Sequence, residues 1–101
     1  MIDAAESVGQ FMAGRQRVDL DRDRMLLFAM VRAIEVIGEA ASRVSDETRA
    51  ANPAIPWSAI VSMRNRLVHG YFDIDTEIVW KTATGELADL LPRLRALIGN
   101  A

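Results

Sequence analysis

The chain has 101 residues, half of them hydrophobic, and a net charge of −2, which suits a single domain over residues 1–101 with a thin core, room for further burial by self-association, and no general affinity for polyanions. It holds no cysteine and one histidine, which excludes disulfides and thiolate metal sites, argues against a histidine-rich metal centre, and fits a reducing, cytoplasmic setting. No apolar run approaches the roughly 18 residues of a membrane span, and no signal-peptide pattern opens the chain.

Residues 2–13 carry a first helical pattern, with Ile2, Ala5, Val8 and Met12 on one side, Phe11 widening that face, and Gly14 as the stop. Residues 15–24 alternate arginine with aspartate and read as a solvated connection, with Asp19 or Asp21 capping the next helix. The acids interrupt the arginines, so a nucleic-acid patch is disfavoured there. The longest helix is expected over 20–44. Its stripe is Leu26, Met30, Ala33, Ile37, Ala40 and Val44. Phe28 and Val31 lie off that stripe, which points either to a helix central to a bundle or to a dimer face. Glu35 and Glu39 fall on the far side, solvated or available to an arginine across an interface.

Residues 45–56 connect, with one helical turn over Ser45–Ala50 and breaks at Asn52-Pro53 and Ile55-Pro56. Pro56 suits the opening of the helix expected over 57–69. Residues 70–75 form a turn, and Asp75 is placed to cap a last helix over 76–98, with Glu77 in its first turn. Gly85 weakens that helix, and Pro92 is expected to kink or split it. There is no strand signal, repeat or low-complexity segment. The fold class is all-α, a small antiparallel bundle of four to five helices.

The stretch Met63-Arg64-Asn65-Arg66-Leu67-Val68-His69-Gly70-Tyr71-Phe72 holds the chain's only histidine and only tyrosine. At about 100° per residue, Trp57, Ile60, Val61, Leu67, Val68 and Tyr71 form one apolar stripe with Arg64 in its middle. Arg66 falls on the other side, as a solvated arginine. A guanidinium in an apolar stripe needs a carboxylate, carbonyls, an interface or an anionic ligand. Gly70 can end the helix and fold the chain back, bringing His69 and Tyr71 toward Arg64. Taken singly, His69 is a helix cap, Arg64 half of a buried ion pair, and Tyr71 a core residue with its hydroxyl at the edge. Taken together, they are an acid–base group beside a fixed cation. The cations are eleven arginines and one lysine, Lys81. Arginine suits bidentate phosphate contacts, although composition alone does not decide that use.

Arg64, His69 and Tyr71 match the R-x(4)-H-x-Y motif, and the chain resembles the HepT-like toxins of the HEPN class of small helical ribonucleases. Ile37-Gly38-Glu39-Ala40-Ala41, Ile55-Pro56-Trp57 and Val79-Trp80 extend the resemblance over most of the chain. The first helix is shorter than is usual in that family. The resemblance implies a HEPN-like homodimer that cleaves RNA without a metal or other cofactor. His69 would be the acid or base, Arg64 would stabilise the phosphate, and Asn65 would support both. It also implies a type VII toxin–antitoxin pair, in which an MNT-type nucleotidyltransferase antitoxin adds AMP to Tyr71. The alternative is a catalytically silent helical dimer that binds a nucleotide or the nucleotidyltransferase.

Overall fold

The computed structural model describes residues 1–67 and 74–99, with the backbone alone at 64, 98 and 99. All regular structure among these residues is helical, apart from a single bridge position at Ile74. Helix α1 (Ile2–Met12) buries Ala5 and Val8, the middle of its expected stripe, while Phe11 turns outward. Gly14 ends it at φ 72, a left-handed conformation that glycine adopts without steric cost.

The charged connection contains a helix of its own. Helix α2 (Arg17–Arg22) is opened by the Gln16 amide donating to Asp19 Oδ2 at 2.7 Å, and it buries Leu20. The long helix α3 (Arg24–Ser42) therefore starts at 24, not 20, and its cap is Asp23, not Asp19 or Asp21. The Leu26 amide donates to Asp23 Oδ1 at 3.1 Å. On one unbroken helix, Leu20 and Leu26 would point about 120° apart. The extended backbone at Asp23 separates the two helices, and both leucines are buried.

Helix α3 buries Leu26, Met30, Ala33 and Ile37 as expected, and also Val31, Ile34 and Ala41. Ala40 and Val44 are half-buried. Phe28 is 51 % exposed and Met25 84 % exposed, so the helix is not enclosed on all sides. Helix α4 (Asp46–Ala51) is capped by Ser45, which accepts from the Thr48 amide at 3.1 Å. Arg49 donates at 2.8 Å to the Ala41 carbonyl, which also accepts from the Val44 amide at 3.2 Å, and so ties α4 to the end of α3.

Helix α5 (Trp57–Leu67) follows Pro56, whose carbonyl accepts from the Ile60 amide at 3.0 Å. Asp75 caps α6 (Thr76–Lys81) as expected, accepting from the Ile78 amide at 3.1 Å. A π turn over Thr82–Glu86 joins α6 to α7 (Leu87–Gly99), with the Leu87 amide bonded to the Thr82 carbonyl. The irregular turn contains Gly85, whereas Pro92 lies inside the helical run of α7 and does not split it.

Helix α3 packs against α1 and α5, α1 also meets α7, and α2 bridges α3 and α6. A Cβ at Gly38 would lie 3.4 Å from the carbonyl oxygens of both Ile60 and Val61. The backbones of α3 and α5 thus approach closely at Gly38, with room for a methyl group at ordinary contact distance and none for a larger side chain. No described helix is long and apolar enough to cross a membrane.

Candidate functional site

The motif begins on α5. Trp57, Ile60, Met63 and Leu67 are buried and Val61 is half-buried, while Ser58, Ser62 and Asn65 are exposed. The buried stripe thus includes Met63 and centres near Ile60 and Leu67. By helical position, residue 64 falls about 50° from that centre, on the flank of the stripe and not in its middle. Helix α3 meets this part of α5 at Gly38, beside the carbonyls of Ile60 and Val61. Asn65 is displayed to solvent. The side chain of Arg64, and the whole of His69, Gly70 and Tyr71, lie outside the described residues, as does the expected helix end at 69.

The two ends of the stretch that contains His69 and Tyr71 are described. The Asp75 amide donates to the Leu67 carbonyl at 2.8 Å. Leu67 is fully buried and Asp75 caps α6, so the chain leaves a core residue and returns to a helix start across one backbone hydrogen bond.

Arg66 has a side chain 40 % exposed, in line with its place on the wheel, but it is engaged. Its Nη1 and Nη2 donate to Glu86 Oε1 and Oε2 at 3.1 and 2.9 Å, a bidentate fork onto the π turn. Its Nε is buried without a partner. The pair borders a cavity of about 280 Å³ between α5 and α7, floored by Ile60, Met63 and Leu90. Residue 64 is about 160° from residue 66 around the helix, so this cavity and the motif arginine's position belong to different sides of α5. Glu86 lies twenty residues from Arg66, and nothing local in the sequence announces it.

Glu35 and Glu39 are half-exposed and lie 3.5 and 3.9 Å from Arg32 Nη1. Their suggested pairing with Arg64 involves a side chain outside the described residues. Among the described residues, no three acidic or histidine side chains group closely enough to hold a metal ion.

A second polar cluster went unread in the sequence. Arg17 reaches from α2 to Thr76 and Glu77 at the start of α6 and also pairs with Asp21. The Glu77 carboxylate, by hydrogen bonding, holds the Arg17 guanidinium above its ordinary range, so the group stays a cation at any neutral pH. The spacing of Arg17 and Asp21 hints at an i,i+4 pair. The partners on α6 lie 59 and 60 residues away and leave no local trace.

The family model described as Ribonuclease HepT-like matches residues 1–97. A protein named "Probable ribonuclease HepT" from Thermococcus cleftensis is 35 % identical over 75 residues, which cover 74 % of this chain and 68 % of that one. Proteins from Caldanaerobacter subterraneus subsp. tengcongensis and Methanocaldococcus jannaschii, whose names assign them provisionally to the RNases, are 34 % and 33 % identical. The aligned parts cover 79 % and 80 % of this chain, and 71 % and 74 % of those relatives. No solved structure gives a significant match. The segments that extend the resemblance in the sequence have structural uses: Gly38 at the α3–α5 approach, Ile55 and Trp57 in the core with the indole donating to the Asn52 carbonyl, and Val79 fully buried. With a family model spanning nearly its whole length, the chain belongs to the HepT-like ribonuclease family.

Proposed function

We propose that this chain is an endoribonuclease that cleaves RNA without a metal cofactor, as one protein of a toxin–antitoxin pair. The observation that carries the reading is the family match over residues 1–97, joined to the motif Arg64, His69 and Tyr71 in the sequence. His69 takes a proton from the attacking 2′-hydroxyl or gives one to the leaving oxygen. Arg64 offsets the negative charge that builds on the phosphate in the transition state. Asn65, exposed next to Arg64 on α5, supports the phosphate or the two catalytic side chains.

The working unit in this reading is a homodimer with one motif from each protomer at a shared cleft. Met25, Phe28, Arg32, Glu35 and Glu39 recur at spacings of three and four along α3 and so share one face. The exposure of Met25 and Phe28 there supports self-association. Phe28→Glu is expected to give a folded monomer in sedimentation. A dimer that survives this change and Met25→Glu together would place the interface elsewhere.

The regulator in this reading is an MNT-type nucleotidyltransferase that moves AMP from ATP to the Tyr71 hydroxyl with release of pyrophosphate. An added phosphate beside Arg64 and His69 occupies the anion site and excludes RNA. The absence of cysteine fits a cytoplasmic setting. The test compares protein made with and without the nucleotidyltransferase, by intact mass and by RNA cleavage. The expected result is active unmodified protein, inactive protein carrying AMP, and a Tyr71→Phe variant that gains no mass and stays active. Added mass on Tyr71→Phe, or equal cleavage by both forms of the wild type, would remove this regulation.

A further inference from the structure

Arg17 makes three separate contacts with its guanidinium. The Nε donates to Glu77, Nη1 donates to Asp21 Oδ2 at 2.9 Å, and Nη2 donates to Thr76 Oγ1 at 3.3 Å. The Thr76 hydroxyl in turn donates to Asp21 Oδ1 at 3.0 Å. Arg17, Asp21 and Thr76 thus form a closed ring between α2 and the first turn of α6, and Glu77 joins it through Arg17. Arg17, Asp21 and Glu77 are between 38 and 48 % exposed, so the ring adds little to global stability.

Its location gives it a different use. Thr76 and Glu77 directly follow Asp75, whose amide closes onto the Leu67 carbonyl at 2.8 Å. Leu67 is anchored in the core, but residues 74–78 are half-buried or exposed, and the first buried residue on that side is Val79. The start of α6 is held only in part by apolar contact, through Ile74 and Ile78 half-buried against the core. Helix α2 has six residues, too few to persist unaided, and it buries only Leu20. Leu20 fixes it to the bundle, and its polar side grips α6.

We infer that Arg17, with Asp21, is a positioning residue for the ribonuclease site: the ring holds the first turn of α6, and through Asp75 it holds the closure that brackets His69 and Tyr71. This role rests on the proposed use of His69 in cleavage. A guanidinium fork engaged on three sides fixes direction as well as distance, which a single ion pair does not. Small displacements of an acid–base group cost rate steeply, so a loosened closure lowers kcat while leaving the affinity for RNA in place.

The test uses Arg17→Ala, Asp21→Asn, Arg17→Lys and, as a control for lost charge on the same helix, Arg22→Ala. Each is assayed for kcat and KM on one RNA and for amide hydrogen exchange at Asp75. Exchange needs no catalysis, so it reports on the ring whether or not the protein cleaves RNA. Arg17→Ala is expected to speed exchange at Asp75 about fivefold and to lower kcat about tenfold, with KM within about twofold of wild type. Asp21→Asn should give a smaller change in the same direction, Arg17→Lys a partial recovery, and Arg22→Ala the wild-type values. If Arg17→Ala unfolds, Asp21→Asn decides by the same readouts. Unchanged exchange at Asp75 overturns the ring's role. Faster exchange with unchanged kcat overturns positioning. A raised KM with kcat intact makes Arg17 an RNA contact and overturns positioning as well. A wild type that cleaves no RNA removes the ribonuclease reading and the positioning role with it, while exchange still tells whether the ring holds Asp75.

Discussion

The two sides of the motif are held by different physics. On the α5 side, Ile60, Met63 and Leu67 are at most 2 % exposed, and Gly38 admits the neighbouring backbone to close range. On the α6 side, burial is complete only at Val79, with Ile74 and Ile78 half-buried, and the first turn is held by a cap at Asp75, one backbone hydrogen bond to Leu67, and the exposed ring around Arg17. Burial is non-directional and roughly proportional to area, so it decides where α5 lies. Hydrogen bonds to charged groups are directional and individually weak at a surface, so they decide how the first turn of α6 points without much effect on whether the chain folds. A site bracketed this way can be loosened on one side while the fold survives.

Cutting the buried side should cost most. Leu67→Ala removes a fully buried side chain and is expected to destabilise by about 3 kcal/mol in urea unfolding. A loss under about 1 kcal/mol would show that the α5 side is not anchored by burial. Gly38→Val comes next, at about 2 kcal/mol, because its extra atoms press on the Ile60 and Val61 carbonyls. Gly38→Ala should stay within about 1 kcal/mol of wild type, since its Cβ meets those oxygens at ordinary contact distance and alanine favours the helix. Equal losses in the two variants would mean that close approach is not what the glycine provides. Asp75→Ala, on the polar side, removes a helix cap and should cost about 1 kcal/mol. A loss as large as that of Leu67→Ala would erase the contrast between the two sides.

Much of this was legible in the sequence, for reasons that differ by residue. The stripes of α1 and α3 follow from periodicity alone. The cap at Asp75 was readable because one acid precedes one clear helix start. The start of α3 was misplaced because Asp19, Asp21 and Asp23 all offer a cap, and only the burial of both Leu20 and Leu26 selects Asp23. Of the expected α5 stripe, Trp57, Ile60 and Leu67 are buried and Val68 and Tyr71 lie outside the described residues; Met63 joins it because an apolar pattern shows which residues can be buried, not where the neighbouring helix will press. Arg66 and Arg17 look alike in sequence, yet each is engaged by partners 20 to 60 residues away, which local pattern cannot show. Arg64, His69 and Tyr71 match a motif by their spacing, while the Arg64 side chain and all of His69 and Tyr71 lie outside the described residues.

The most direct measurement is RNA cleavage in excess EDTA by purified wild type, His69→Ala and Arg64→Ala, all made in cells without a nucleotidyltransferase partner so that Tyr71 is unmodified. Folding and oligomeric state are checked on the same samples. The expected result is cleavage by the wild type alone, with both variants folded like it. Folded, dimeric wild type without activity, or equal activity in all three, would contradict a metal-independent ribonuclease built on His69 and Arg64.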